Sequence, residues 1–164
     1  MSIGFKSSLS LGAVLAAALL AVPACAAERT TFKIHQDAPV LAQIDVGGSG
    51  RSHGDMLAFE AAVTAEDGTK GTMSGVLITV DLPDAAGDEF EDRIGQIAFD
   101  LGGSDSLVVA GESVYSPDAA EMNPAQPQLR AVIGGTGRYI GARGQVMTTR
   151  NPDGSYEHAF ELIE

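Results

Sequence analysis

From Leu57 the chain alternates. Leu57, Phe59, Ala61 and Val63 fall on one face, and Ala58, Glu60 and Ala62 on the other, the two-residue period of a half-buried strand. TAEDGTKG follows, with Asp67-Gly68 as a hairpin signal. In TMSGVLITVD, Val76, Ile78 and Val80 oppose Met73, Leu77 and Thr79. A strand apolar on both faces is covered on both, by the core on one side and by a partner or another element on the other. RIGQIAFD, LVVAG, LRAVIGG and ARGQVMTT continue the series, and LGGSDS makes a turn within it. Asn151-Pro152-Asp153-Gly154 turns the chain into SYEHAFELI, where Tyr156, His158, Phe160 and Leu162 share a face. Short strands spaced by turn signals predict an all-β sandwich or barrel.

The N-terminus is of another kind. One positive charge, Lys6, precedes an Ala- and Leu-rich apolar run from Leu9 to Val22 that ends in small residues. This is the layout of a secretory signal peptide over residues 1–26, leaving 27–164 as one domain. The run is short for a bilayer span, which needs about 20 apolar residues. Ala24-Cys25-Ala26 fits a cleavage site before Ala27, which predicts a secreted or periplasmic protein. The alternative is a lipoprotein anchored through Cys25, since Val22-Pro23-Ala24-Cys25 resembles a lipobox, although Pro23 fits that pattern poorly. Cys25 is the sole cysteine, so no disulfide braces the domain and packing must hold it.

The formal charge of −12 opposes contact with nucleic-acid phosphates or anionic lipid. No basic patch with interleaved aromatics offsets it, so no nucleic-acid partner is expected. Two stretches read as loops. DLPDAAGDEFED carries six carboxylates between Asp81 and Asp92, without the spacing of a calcium-binding EF-hand, and reads as a solvated acidic loop. YSPDAAEMNPAQPQ, with Pro117, Pro124 and Pro127, reads as an extended, mobile surface connection. His53 and His158 lack a ligand-spaced neighbour, so no metal is expected, and no cofactor motif is present.

The stretch AVIGGTGRYIGARGQV invites a nucleotide reading. A P-loop needs Lys followed by Ser or Thr after its last glycine, and none occurs. A dinucleotide fingerprint begins at Gly135-Thr136-Gly137, but Ile140 takes the third glycine position and no amphipathic helix follows. The glycines instead suit a β-ribbon folding over a barrel rim. Arg138 and Arg143 bracket it and are read as forming rim salt bridges.

The same hairpin, GGTGRYIGARGQV, resembles the signature of plant dirigent proteins and allene oxide cyclases. GDMLAFEAAVT, the glycine pair Gly71 and Gly75, LPDAAGDEF and SLVVAG fall in that family's order. The resemblance runs from about Gly54 to Val146. It implies an eight-stranded antiparallel β-barrel, assembled as a homotrimer, a form that removes sheet edges and can enclose one small ligand.

The family's cyclase chemistry does not carry over. Its first strand holds a glutamate and an asparagine two residues apart, and Lys33 and His35 of TFKIHQDAP stand in their places. Leu77 stands where a third-strand cysteine is expected. Allene oxide cyclisation is therefore not expected. Plain alternation turns Phe32 and Ile34 inward and Lys33 and His35 to water, whereas the resemblance implies the opposite register. In that register Lys33 could bind a carboxylate or stabilise an enolate. The candidate pocket residues are Lys33, His35, Leu57, Phe59 and Leu77. Two functions follow: a barrel that binds a small apolar or phenolic molecule, or an isomerase, cyclase or dirigent-type guide acting on one. Binding is favoured because no acid–base pair survives the comparison.

Overall fold

The fold is described from a computed structural model, over residues 28–82, 90–116 and 119–163. The segment assigned to the signal peptide lies outside the described residues.

Nine strands follow one another: β1 (Arg29–Gln36), β2 (Val40–Ile44), β3 (Met56–Ala65), β4 (Lys70–Asp81), β5 (Glu91–Asp100), β6 (Ser106–Tyr115), β7 (Gln128–Thr136), β8 (Gly144–Arg150) and β9 (Tyr156–Ile163). All pairings are antiparallel, in the order β1-β9-β8-β7-β6-β5-β4-β3, and β1 returns to β3 through Ile34↔Ala65, His35↔Thr64 and Gln36↔Val63. The result is the closed eight-stranded antiparallel barrel expected from the sequence, closed over the last three residues of β1. The ninth strand, β2, prolongs β1 beyond Pro39 and pairs with the other half of β3, from Val40↔Glu60 to Ile44↔Met56.

Alternation is cleanest in β5, where Glu91, Arg93, Gly95, Ile97 and Phe99 point inward between more exposed neighbours. Of the β1 registers, plain alternation holds. Ile34 and Gln36 are buried inside, and Lys33 and His35 stand on the outer wall. The cause is the pairing with β9, which sets Phe32 opposite Phe160 and Ile34 opposite His158. Their rings confirm the shared face: Phe32 stacks on Phe160 at 5.1 Å, and Phe99 meets Phe160 edge-on at 5.3 Å.

The barrel's two ends differ. The end that carries the glycine hairpin is apolar. Ile34, Met73, Phe99, Leu107, Val109, Val132, Val146 and Phe160 fill it, and Tyr139 of the hairpin stacks over Phe32 at 6.0 Å. At the other end a smaller apolar cluster of Leu57, Leu77, Tyr115, Met122 and Tyr156 adjoins nearly all the buried polar side chains. The segment from Ala119 to Pro127 lies over this end and is not a free surface connection. Met122 is buried, the Ala119 and Ala120 carbonyls accept hydrogen bonds from Arg93, and Glu121 accepts from Arg150 at 2.8 Å. The segment stays down because its one large apolar side chain inserts and its carboxylate meets a fixed cation.

Candidate functional site

At the polar end, inward positions of six strands converge. β1 gives Gln36, β9 gives Tyr156 and His158, β8 gives Thr148, β7 gives Arg130, β6 gives Tyr115 and β5 gives Glu91 and Arg93. Unpaired buried polar groups are costly, and most of these are paired. His158 Nε2 lies 2.8 Å from Gln36 Oε1, and its Nδ1 lies 3.0 Å from Thr148 Oγ1. Burial, with the nearby charge of Arg130 behind it, pushes the imidazole down to about 3, so it is neutral at physiological pH.

Glu91 is buried yet ionised. Burial raises its pKa, but hydrogen bonds from Arg93, Arg51 and Thr79 outweigh that and hold it below the usual carboxylate range. Arg93 Nε donates to it at 2.6 Å and Thr79 Oγ1 at 2.9 Å. Arg93 also lies over the Tyr115 ring, 4.4 Å from its centre, a cation–π contact. The acidic stretch expected to be solvated thus ends in a buried ion pair. Its residues 83–89 lie outside the described structure.

Arg130 differs from these. It is 4% exposed and forms no ion pair among the described residues. Among the described residues its guanidinium makes one hydrogen bond, from Nη2 to the Tyr115 hydroxyl at 3.3 Å, and its Nε has no partner there. Burial pushes the phenols of Tyr115 and Tyr156 upward, so both remain protonated. Tyr156 donates to Glu121 Oε1 at 3.1 Å.

Gln36, Thr148, His158, Arg130, Tyr115, Tyr156 and Glu121 line a half-open pocket of about 50 Å³ in this end of the barrel. Leu57, Leu77, Phe59 and Met122 form its apolar side, and Arg130, Tyr115, Tyr156 and His158 its polar side. An outer pocket of about 310 Å³ opens beside it, lined by Arg51, Asp55, Glu91 and Arg93. Leu57 belongs to both linings.

The sequence candidates therefore divide. Leu57, Phe59 and Leu77 come together on the cavity wall. Lys33 and His35 do not join them: Lys33 is exposed on the outer wall, and His35 Nδ1 meets Glu157 there at 2.6 Å. Sequence reasoning missed Arg130, Tyr115, Tyr156 and Glu121 as site residues. It set His158 aside as isolated, although the shared face of Tyr156, His158, Phe160 and Leu162 was already a sign that it points inward.

The glycine hairpin lies at the opposite end. Gly137 has φ +58°, and a Cβ there would meet Asp105 Oδ1 at 2.1 Å. That carboxylate accepts from the Arg138 backbone N–H at 3.0 Å and from its Nε at 3.2 Å. The position a phosphate would need is filled by the protein's own anion, and Arg138 is a rim salt bridge.

No protein-family model matches the sequence, and no curated protein matches it. Solved structures do match in shape. A pyocyanin demethylase superposes with a TM-score of 0.57 at 19% identity, over 82% of this chain and 98% of that one. A pterocarpan synthase dirigent protein gives 0.54 at 14% identity, over 92% and 97%. The chain has the allene oxide cyclase and dirigent type of barrel fold. A Diels-Alderase from Streptomyces koyangensis shares it, with a TM-score of 0.55 at 14% identity, over 86% of this chain and 70% of that one. The chain buries one arginine, Arg130, facing the interior without a counter-ion among the described residues.

Proposed function

We propose that the protein is exported and binds a small hydrophobic or phenolic molecule within the polar end of its barrel. The observation that carries this reading is the two-sided cavity, with Leu57, Leu77 and Met122 facing Arg130, Tyr115 and Tyr156. Ligand sites commonly pair an apolar wall with a few placed polar groups. The cavity of about 50 Å³ is smaller than the roughly 300–1,000 Å³ of typical ligand sites. A bound molecule would displace Met122 and extend toward the outer pocket, which Leu57 already adjoins.

The groups around the cavity favour holding over proton abstraction. At neutral pH His158 is uncharged with both nitrogens engaged, both phenols are protonated, and Glu121 is held by Arg150. None is placed as a free general base. A second reading, a cyclase or dirigent-type guide, is supported by this same feature. Reactions controlled by enclosure and orientation need no base, and a Diels-Alderase and a dirigent protein share the fold.

Titration with 2-naphthol, a neutral fluorescent phenol, tests the reading. Wild type is expected to bind it. Leu77→Trp should fill the cavity and abolish binding with the far-UV spectrum intact, and Met122→Ala should tighten binding by enlarging the space. Binding unchanged by both variants would place the site outside the barrel.

A further inference from the structure

Arg130 is a cation the fold buries without neutralising. Arginine stays protonated in proteins, and removing a charge from water is costly unless a partner repays it. Its neighbour Arg93 has such a partner in Glu91, at 2.6 Å. Among the described residues Arg130 has only the Tyr115 hydroxyl, and its Nε–H is unpaired although the residue is 4% exposed. Because that hydroxyl accepts from Arg130, its own proton is left to point elsewhere. The Glu121 carboxylate is already committed to Arg150 and Tyr156. Arg130, Tyr115, Tyr156 and Glu121 line one cavity.

We propose that Arg130, with the Tyr115 hydroxyl, is the anchor for a carboxylate on the ligand, so that the protein takes small aromatic or apolar acids in preference to neutral molecules of the same shape. This rests on the interior-binding reading above and names the substrate class for that site. A carboxylate is the planar anion that a guanidinium edge matches best, and it would supply the counter-charge that the described residues withhold. The apolar body would then lie against Leu57 and Leu77, in the space taken by Met122, with its far end toward the outer pocket.

The test compares 2-naphthoate with its methyl ester, which has the same ring system and no charge, by ligand fluorescence at neutral pH. Wild type should bind the acid at least about tenfold more tightly than the ester, a difference of about 1.4 kcal/mol. Arg130→Met should bring the ratio of acid to ester affinity down to about one, and Arg130→Lys should keep part of it. Tyr115→Phe should lower acid affinity by a smaller factor. The wild-type ratio needs no variant and stands even if Arg130→Met fails to fold. Equal affinity for acid and ester would overturn the anchor alone. An acid preference that persists in Arg130→Met would also overturn it, placing charge recognition at the outer pocket. Failure to bind either probe would overturn the interior reading and the anchor with it.

Discussion

His158 donates from Nε2 to Gln36 Oε1 across 2.8 Å, joining the last strand of the barrel to the first inside the polar layer. The imidazole is 2% exposed and neutral, its pKa pushed down to about 3 from an ordinary value of 6.5 by burial. Below pH 6.5 the unfolded chain takes up a proton that the folded chain refuses, so stability falls with pH. One such group gives a slope of about 1.4 kcal/mol per pH unit down to about pH 3. Glu91 acts in the same direction, because its lowered pKa gives stability that is lost as pH falls through the folded value. Urea denaturation from pH 7 to 4 should show the loss, and His158→Gln should flatten its slope. An unchanged slope in the variant would mean that His158 is not the group responsible.

Gly137 makes a separable prediction, because it lies at the end of the barrel away from the cavity. Its φ of +58° and the 2.1 Å approach of a Cβ to Asp105 leave no room for a side chain. Gly137→Val should cost about 1–3 kcal/mol, measured by thermal denaturation, with 2-naphthol affinity unchanged. Intact stability with lost binding would revive the hairpin as a ligand loop.

Alternation made the barrel legible. β3, β4, β5 and β9 read in the sequence as they fold, and Leu57 and Leu77, both named there as pocket candidates, are cross-strand partners. The polar site was harder to read. In β7 the pattern misleads, because Leu129 and Ile133 are 51% and 57% exposed while Gln128, Arg130 and Val132 point inward. Closure fixes that register through neighbouring strands, and local hydrophobicity does not. Met122 and Glu121 sit in a proline-marked stretch whose docking depends on Arg93 and Arg150 far along the chain. β2 went unread because it is a largely exposed extension whose order comes from pairing with β3.

The exposed apolar positions carry a proposal about assembly. Ile78 and Ile94 face each other on the outside of β4 and β5, and Leu129 and Met147 on the outside of β7 and β8. Two separate patches suit a head-to-tail ring, in which each subunit offers a different face to each neighbour. We propose a homotrimer. Light scattering at micromolar concentration should give three times the chain mass, and Ile94→Glu should reduce it. A monomeric mass for the wild type would contradict the proposal.

Export carries its own check. Mass measurement of the exported protein should show a chain beginning at Ala27. A chain beginning at Cys25 with an added diacylglyceryl group would replace simple export with a lipid anchor.

A small molecule held inside the polar end of the barrel should be visible directly. Crystals grown with 6-bromo-2-naphthol and measured at the bromine absorption edge test it most directly, because the anomalous signal locates the ligand without reference to the surrounding side chains. A bromine peak is expected between the Arg130–Tyr115 wall and the outer pocket, with Met122 displaced. A peak confined to the outer wall of the barrel, with the interior unchanged, would contradict it.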